Sequence, residues 1–162
     1  MDYHFVFATG GQIPAGAPRD GHGKEANGDP LWVARSPDAK DPFFFHGGIH
    51  PGKVRPGFGA ASIPFGGNEE FVTDYEVLME AGIWLSGPDP ISGATIPDGA
   101  VVCGREATGE LLFVARADLN GGRHPGKIRF GFGGALISFG GKEVQVNNYE
   151  VLISPVVRGA PG

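Results

Sequence analysis

At Ala61, Ile63 and Phe65, and again at Ala135, Ile137 and Phe139, apolar side chains fall on every second position, the spacing of a β-strand with one buried face. Other short apolar runs, LWVAR at 31–35 and LFVAR at 112–116, are bounded by Pro and Gly, which supply turns. No window repeats apolar residues at three- and four-residue steps for long enough to make a convincing amphipathic helix. The pattern therefore predicts an all-β chain of short antiparallel strands. Residues 75–85 read as one continuous strand that carries the chain from its first half into its second.

The runs recur in order. Residues 50–67, HPGKVRPGFGAASIPFGG, and residues 124–141, HPGKIRFGFGGALISFGG, agree at 13 of 18 positions with a constant offset of 74. Upstream, IPAGA at 13–17 matches IPDGA at 96–100, and LWVAR matches LFVAR; downstream, DYEVL at 74–78 matches NYEVL at 148–152. Two tandem repeats, residues 1–80 and 81–162, are expected to share a core about a pseudo-two-fold axis. Arg35 lies 15 residues before His50 and Arg116 lies 8 before His124, so the first copy carries seven extra residues, in the loop around 41–48. The HPGK and FGG blocks read as turns, in which Pro-Gly sets the bend and Gly-Gly supplies positive φ or close backbone approach. A turn does not explain Lys53 and Lys127, identical in the two copies.

Composition narrows the function. With 13 Lys and Arg against 18 Asp and Glu, the net charge of −5 offers no field to draw nucleic acid or an anionic membrane surface. No run approaches membrane-spanning length and no signal peptide is evident, which points to a cytoplasmic protein or one released without a signal peptide. The lone Cys103 excludes an intrachain disulfide framework and reads as a small buried hydrophobe.

The ordered blocks resemble the DM-nine repeat family: an IPxGA entry, a Gly-rich turn with an acidic residue, a VAR strand, PGK, FGG and a closing YEVL, covering essentially the whole chain. The resemblance implies an all-β tandem-repeat protein of the mannose-binding lectin type, a homodimer, with a role such as defence. It also implies that an acidic residue in the turn before the VAR strand and the lysine of PGK hold the sugar. Carried onto this chain, these are Glu25 with Lys53 and Glu106 with Lys127. His50, His124, Glu69 and Glu143 recur beside the same turns and are second-tier sugar contacts, with a structural role as the alternative. The chemistry suits a polyol, because a carboxylate accepts from adjacent hydroxyls while an ammonium donates up to three hydrogen bonds. The competing reading is an ordinary surface ion pair, worth about 0 to 1 kcal/mol.

The chain is thus expected to bind mannose or mannose-containing glycans, with no cofactor and no catalytic residues. A protein-interaction or structural module without sugar binding is the alternative. A glycosidase built on Glu25 and Glu106 is disfavoured, because acid and base need different environments and duplicated positions tend to share one. His46 with His50, or His50 with His124, lack a fixed third metal ligand and read as loop or turn residues. Gly57-Phe-Gly59 and Gly131-Phe-Gly133 are not phosphate loops, since no helix follows. Phe43, Phe44 and Phe45 in the inserted loop are expected to form either a contact surface or a buried cap.

Overall fold

The computed structural model describes residues 3–37 and 44–154, with 44 and 45 described by backbone alone. Fourteen strands make up the described chain: β1 (Phe5–Thr9), β2 (Gly23–Lys24), β3 (Pro30–Arg35), β4 (Pro51–Val54), β5 (Ala61–Phe65), β6 (Asn68–Val72), β7 (Asp74–Leu78), β8 (Ile83–Gly87), β9 (Val102–Arg105), β10 (Leu111–Leu119), β11 (Gly122–Ile128), β12 (Ala135–Phe139), β13 (Lys142–Val146) and β14 (Tyr149–Ile153). Two short 3₁₀ turns, Phe44–Gly47 and Pro56–Phe58, are the helical segments among the described residues. The protein is all-β, and the alternating runs at 61–65 and 135–139 are strands β5 and β12.

Hydrogen-bonded neighbours run β1-β7-β3-β4-β5-β6-β13-β12-β11-β10-β14-β8, and β6 meets β13 through Asn68 and Lys142. The first half of this path belongs to the first repeat and the second half to the second. Strand β2 pairs both β3 and β11, so the ring β3-β4-β5-β6-β13-β12-β11-β2 closes on itself. A matching closure joins the other end, where Ile49 bridges Arg105 of β9 and β9 pairs β10. Each repeat therefore lends a short segment to its neighbour. Glycine permits that approach: a Cβ on Gly23 would lie 2.2 Å from the Arg123 carbonyl oxygen, and one on Gly104 would lie 2.1 Å from that of Ile49.

Two arginines fasten the exchanged segments. Arg35 Nη1 donates to the Cys103 carbonyl at 3.1 Å, and Arg116 Nη1 donates to the His22 carbonyl at 2.8 Å. Their Nε atoms bond Glu76 and Glu150, each at 2.8 Å. The VAR arginines and the YEVL glutamates thus form one latch, used twice. Beneath it, each repeat has its own apolar cluster, around Trp32, Ile63 and Tyr75 in one and Phe113, Ile137 and Tyr149 in the other. A third cluster draws Val33 and Leu78 from the first repeat onto Cys103, Val114 and Leu152 from the second. Burial also pushes the Cys103 thiol up to about 12.

Two readings of the sequence need correction. Residues 75–85 are not one strand: β7 ends at Leu78, Gly82 takes φ +83°, and β8 begins at Ile83. The break is required because β7 pairs β1 and β3 whereas β8 pairs β14, in the other repeat. Pro51-Gly52 and Pro125-Gly126 are not turns but lie within β4 and β11. There Gly52 and Gly126 leave room for the carbonyls of Ser62 and Leu136, each of which would lie 2.2 Å from an added Cβ. The Gly-Gly pairs do turn, as expected, with φ near +60° and +87° at Gly66 and Gly67 and the same at Gly140 and Gly141.

Candidate functional site

Glu25 and Glu106 each open a tight loop. The Glu25 amide bonds the Asp29 carbonyl and the Gly28 amide bonds the Glu25 carbonyl; Glu106 repeats both bonds with Glu110 and Gly109. This geometry holds the carboxylates at the edge of the exchanged segments, with side chains 22% and 18% exposed. Lys53 on β4 and Lys127 on β11 sit deeper, each 2% exposed. The surface ion pair considered from sequence is therefore not what forms.

Instead each lysine is held by the other repeat. Lys53 Nζ lies 2.8 Å from His124 Nδ1, and Lys127 Nζ lies 3.0 Å from His50 Nδ1. Glu25 Oε1 stands 3.7 Å from the same His124 nitrogen, and Glu106 Oε1 stands 3.6 Å from His50 Nε2. Glu25, Lys53 and His124 form one cluster; Glu106, Lys127 and His50 form its twin. The histidines read as loop residues are buried in strands or against them, and each completes a site in the opposite repeat.

The protonation states follow from burial. Desolvation, reinforced by the nearby lysines, lowers His50 to about 3 and His124 to about 4, so both rings are neutral near pH 7 and can accept a hydrogen bond from an ammonium. Desolvation also lowers Lys53 to about 8, opposed by Glu69 and Glu25, and it lowers Lys127 against Glu143 and Glu106. Lys53 stays mostly cationic at pH 7. Its ammonium makes one hydrogen bond among the described residues, to His124, although it carries three N–H donors. Phe139 closes over Lys53 at 5.5 Å and packs edge-on to His124, and Phe65 does the same for Lys127 and His50.

Glu69 and Glu143 lie near the lysines but chiefly join the repeats. The Glu69 carboxylate accepts from the Gly141 amide and the Ser62 hydroxyl, and Glu143 accepts from the Gly67 amide. Glu143 is also 3.8 Å from Lys127 Nζ.

Sequence reasoning missed Arg55 and Arg129. Arg55 Nε donates to Glu25 at 3.2 Å and Arg129 Nε donates to Glu106 at 2.8 Å, so the carboxylates are oriented by arginine, not by lysine directly. The signal was present. Both copies read HPGK-x-R, and in an extended chain a residue two positions on points to the same side as the lysine. Phe43, Phe44 and Phe45 lie outside the described residues and side chains.

A family model for the DM9 repeat matches residues 42–146. The chain belongs to the DM9 repeat family. No curated protein matches it. Among solved structures, the nematode sperm cell motility protein MFP2B shares the fold, with a TM-score of 0.61 at 17% sequence identity. That match covers 95% of this chain and 47% of MFP2B, so the present chain spans about half the length of that protein. At this identity the likeness speaks for the fold alone.

Proposed function

We propose that this DM9 repeat protein is a carbohydrate-binding lectin that recognises mannose-type sugars on glycans through two equivalent sites. The observation that carries the reading is the twice-built cluster of carboxylate, buried lysine and neutral histidine. A buried ammonium is costly unless its donors are satisfied, and a ring nitrogen satisfies one of them. Vicinal hydroxyls supply acceptors for the others while donating to the carboxylate of Glu25 or Glu106. Arg55 and Arg129 fix the carboxylate in place before the sugar arrives, which lowers the ordering cost of binding.

Such a site buries few atoms, and its affinity for a monosaccharide is expected at ~0.01 to 1 mM. Paired sites, multiplied by homodimerisation, would hold a glycan-coated surface through effective concentration. This suits a role in defence, in the cytoplasm or after release without a signal peptide. No reaction is proposed, because the two carboxylates have matching arginine partners and matching surroundings where a glycosidase needs contrast.

A glycan array followed by calorimetry tests the reading. Mannose-terminated glycans should be retained, and methyl α-mannoside should give a heat of binding that vanishes in Lys53→Ala/Lys127→Ala. Undiminished heat in that variant would remove the assignment. An empty array, with pull-downs recovering a specific protein, would favour a protein-interaction module instead.

A further inference from the structure

Strand alternation gives the exchanged segment a second working face. On β11, His124 points inward to the Lys53 cluster, so its neighbour Arg123 points out; on β10, Ala115 and Ala117 belong to the core and Arg116 and Asp118 face out. Registers place these outward residues in rows. Lys24 of β2 is opposite Arg123, which is opposite Asp118. One step along, Arg116 is opposite Glu150 and Glu150 is opposite Ser86. The rows floor an open cleft of about 690 Å³, walled by Asp20 and several glycines, and it continues into a hollow of about 250 Å³ beside Ser86 and Asn148. The larger volume falls in the range of about 300 to 1,000 Å³ usual for small-molecule sites.

The cleft is rigid and rich in donors. Arg116 is fixed by Glu150, by the His22 carbonyl and by the Trp84 ring 4.2 Å from its guanidinium carbon. Arg123 uses Nε on Asp118 at 2.9 Å and brings Nη1 to 3.7 Å from Glu150. Lys24 has no ion-pair partner among the described residues, although it directly opposes another cation across the strands. Like charges so placed repel unless an anion lies between them. The two arginines are paired with Glu150 and Asp118, and Lys24 is left without an ion pair, although Asp118 acts on it through space and the cleft wall also carries the Asp20 carboxylate. The glycines Gly21, Gly121 and Gly122 bring bare backbone to the same cleft.

The first repeat has kept only part of this chemistry. At the offsets that align the repeats, Arg123 and Asp118 correspond to Ile49 and Pro37, and by strand register Ser86, opposite Glu150, corresponds to Phe7, opposite Glu76. The Arg116–Glu150 pair recurs as Arg35–Glu76 and the Lys24 cation recurs as Arg105, so what belongs to one copy is the Arg123–Asp118 pair between them.

We propose that this cleft is a third, distinct site that takes a hydroxyl-rich ligand bearing a single carboxylate, an acidic saccharide of the uronic type, with Lys24 and Arg123 clamping the carboxylate and Arg116 and Asp118 reading hydroxyls. It stands apart from the mannose sites in residues and in ligand charge. Amide NMR titration of the full chain with methyl β-glucuronide and, as the neutral match, methyl β-glucoside tests it. The glucuronide should shift the amides of Asp118, Gly121 and Gly122, and the glucoside should not. Arg123→Ala and Lys24→Ala, both on the solvent side, should each weaken glucuronide binding at least ten-fold, and added salt should weaken it further. Lys53→Ala/Lys127→Ala should leave it unchanged while losing methyl α-mannoside, which separates this site from the lectin reading. Absence of glucuronide shifts at these amides, equal shifts with the glucoside, or unchanged affinity in Arg123→Ala would overturn the proposal.

Discussion

The two repeats differ least where they face each other and most where they face solvent. Inside, Lys53 and Lys127, His50 and His124, and Glu25 and Glu106 occupy matching positions with matching partners. Outside, the row that is Lys24, Arg123 and Asp118 in one half is Arg105, a buried Ile49 and Pro37 in the other. The inner set is constrained twice over, because each histidine serves the lysine of the opposite copy, and a change in one repeat damages the site of the other. The Arg123–Asp118 pair carries no such obligation and was free to change, whereas the outward Arg116–Glu150 pair is kept as Arg35–Glu76 because it latches the exchanged segment.

Acid should show the inner constraint as the largest effect. His22, His50 and His124 are lowered to about 4, 3 and 4, chiefly by burial, from an unfolded value near 6.5. Their folded pKa values lie below the unfolded one, so the unfolded chain binds more protons between these limits. Stability is full above pH 6.5 and falls as pH drops towards 4 and 3, by up to about 3 kcal/mol each for His22 and His124 and about 5 kcal/mol for His50. Urea unfolding at pH 7, 5.5 and 4.5 measures this, and a flat profile would mean that the rings are not held neutral.

Substitution at the exchanged segments comes next. Gly104→Ala and Gly23→Ala each push a methyl group into a backbone carbonyl of the other repeat. Both should cost about 3 kcal/mol or more, since backbone on both sides leaves nothing to yield. A large loss at one glycine alone would show the exchange to be one-sided.

A smaller effect separates binding from stability. Lys53→Met removes a desolvated ammonium and leaves the His124 nitrogen without that donor, and the two changes oppose each other. Its stability should stay within about 1 kcal/mol of the parent, while the mannoside capacity of that site is lost. Relief of the buried charge can also be read by titration. Lys53 in the folded chain is lowered to about 8 from 10.5, so the parent should gain stability relative to Lys53→Met as pH rises from about 8 to 10.5.

Much of this was legible in the sequence. Alternation marked β5 and β12, the Gly-Gly pairs marked their turns, duplication singled out the two lysines, and the family resemblance supplied their glutamates. The exchange was not legible, because β2 is two residues long and its partner Arg123 lies far along the chain, so no local pattern encodes the pairing. For the same reason His50 and His124 looked like loop residues: their partners Lys127 and Lys53 belong to the other copy. Pro-Gly was misread as a bend because its glycine is there for a carbonyl that crosses from the neighbouring strand. Residues 75–85 appeared continuous because apolar content persists through a break that only the change of pairing partners demands.

Calorimetric stoichiometry with methyl α-mannoside on two double variants tests most directly whether each proposed sugar site is built from both repeats. Lys53→Ala/His124→Ala alters one cluster, and Lys53→Ala/His50→Ala alters two. The first should keep one site of parental affinity, and the second should lose one site and weaken the other. The reverse outcome, in which the Lys53/His50 variant keeps an intact site and the Lys53/His124 variant does not, would contradict the account.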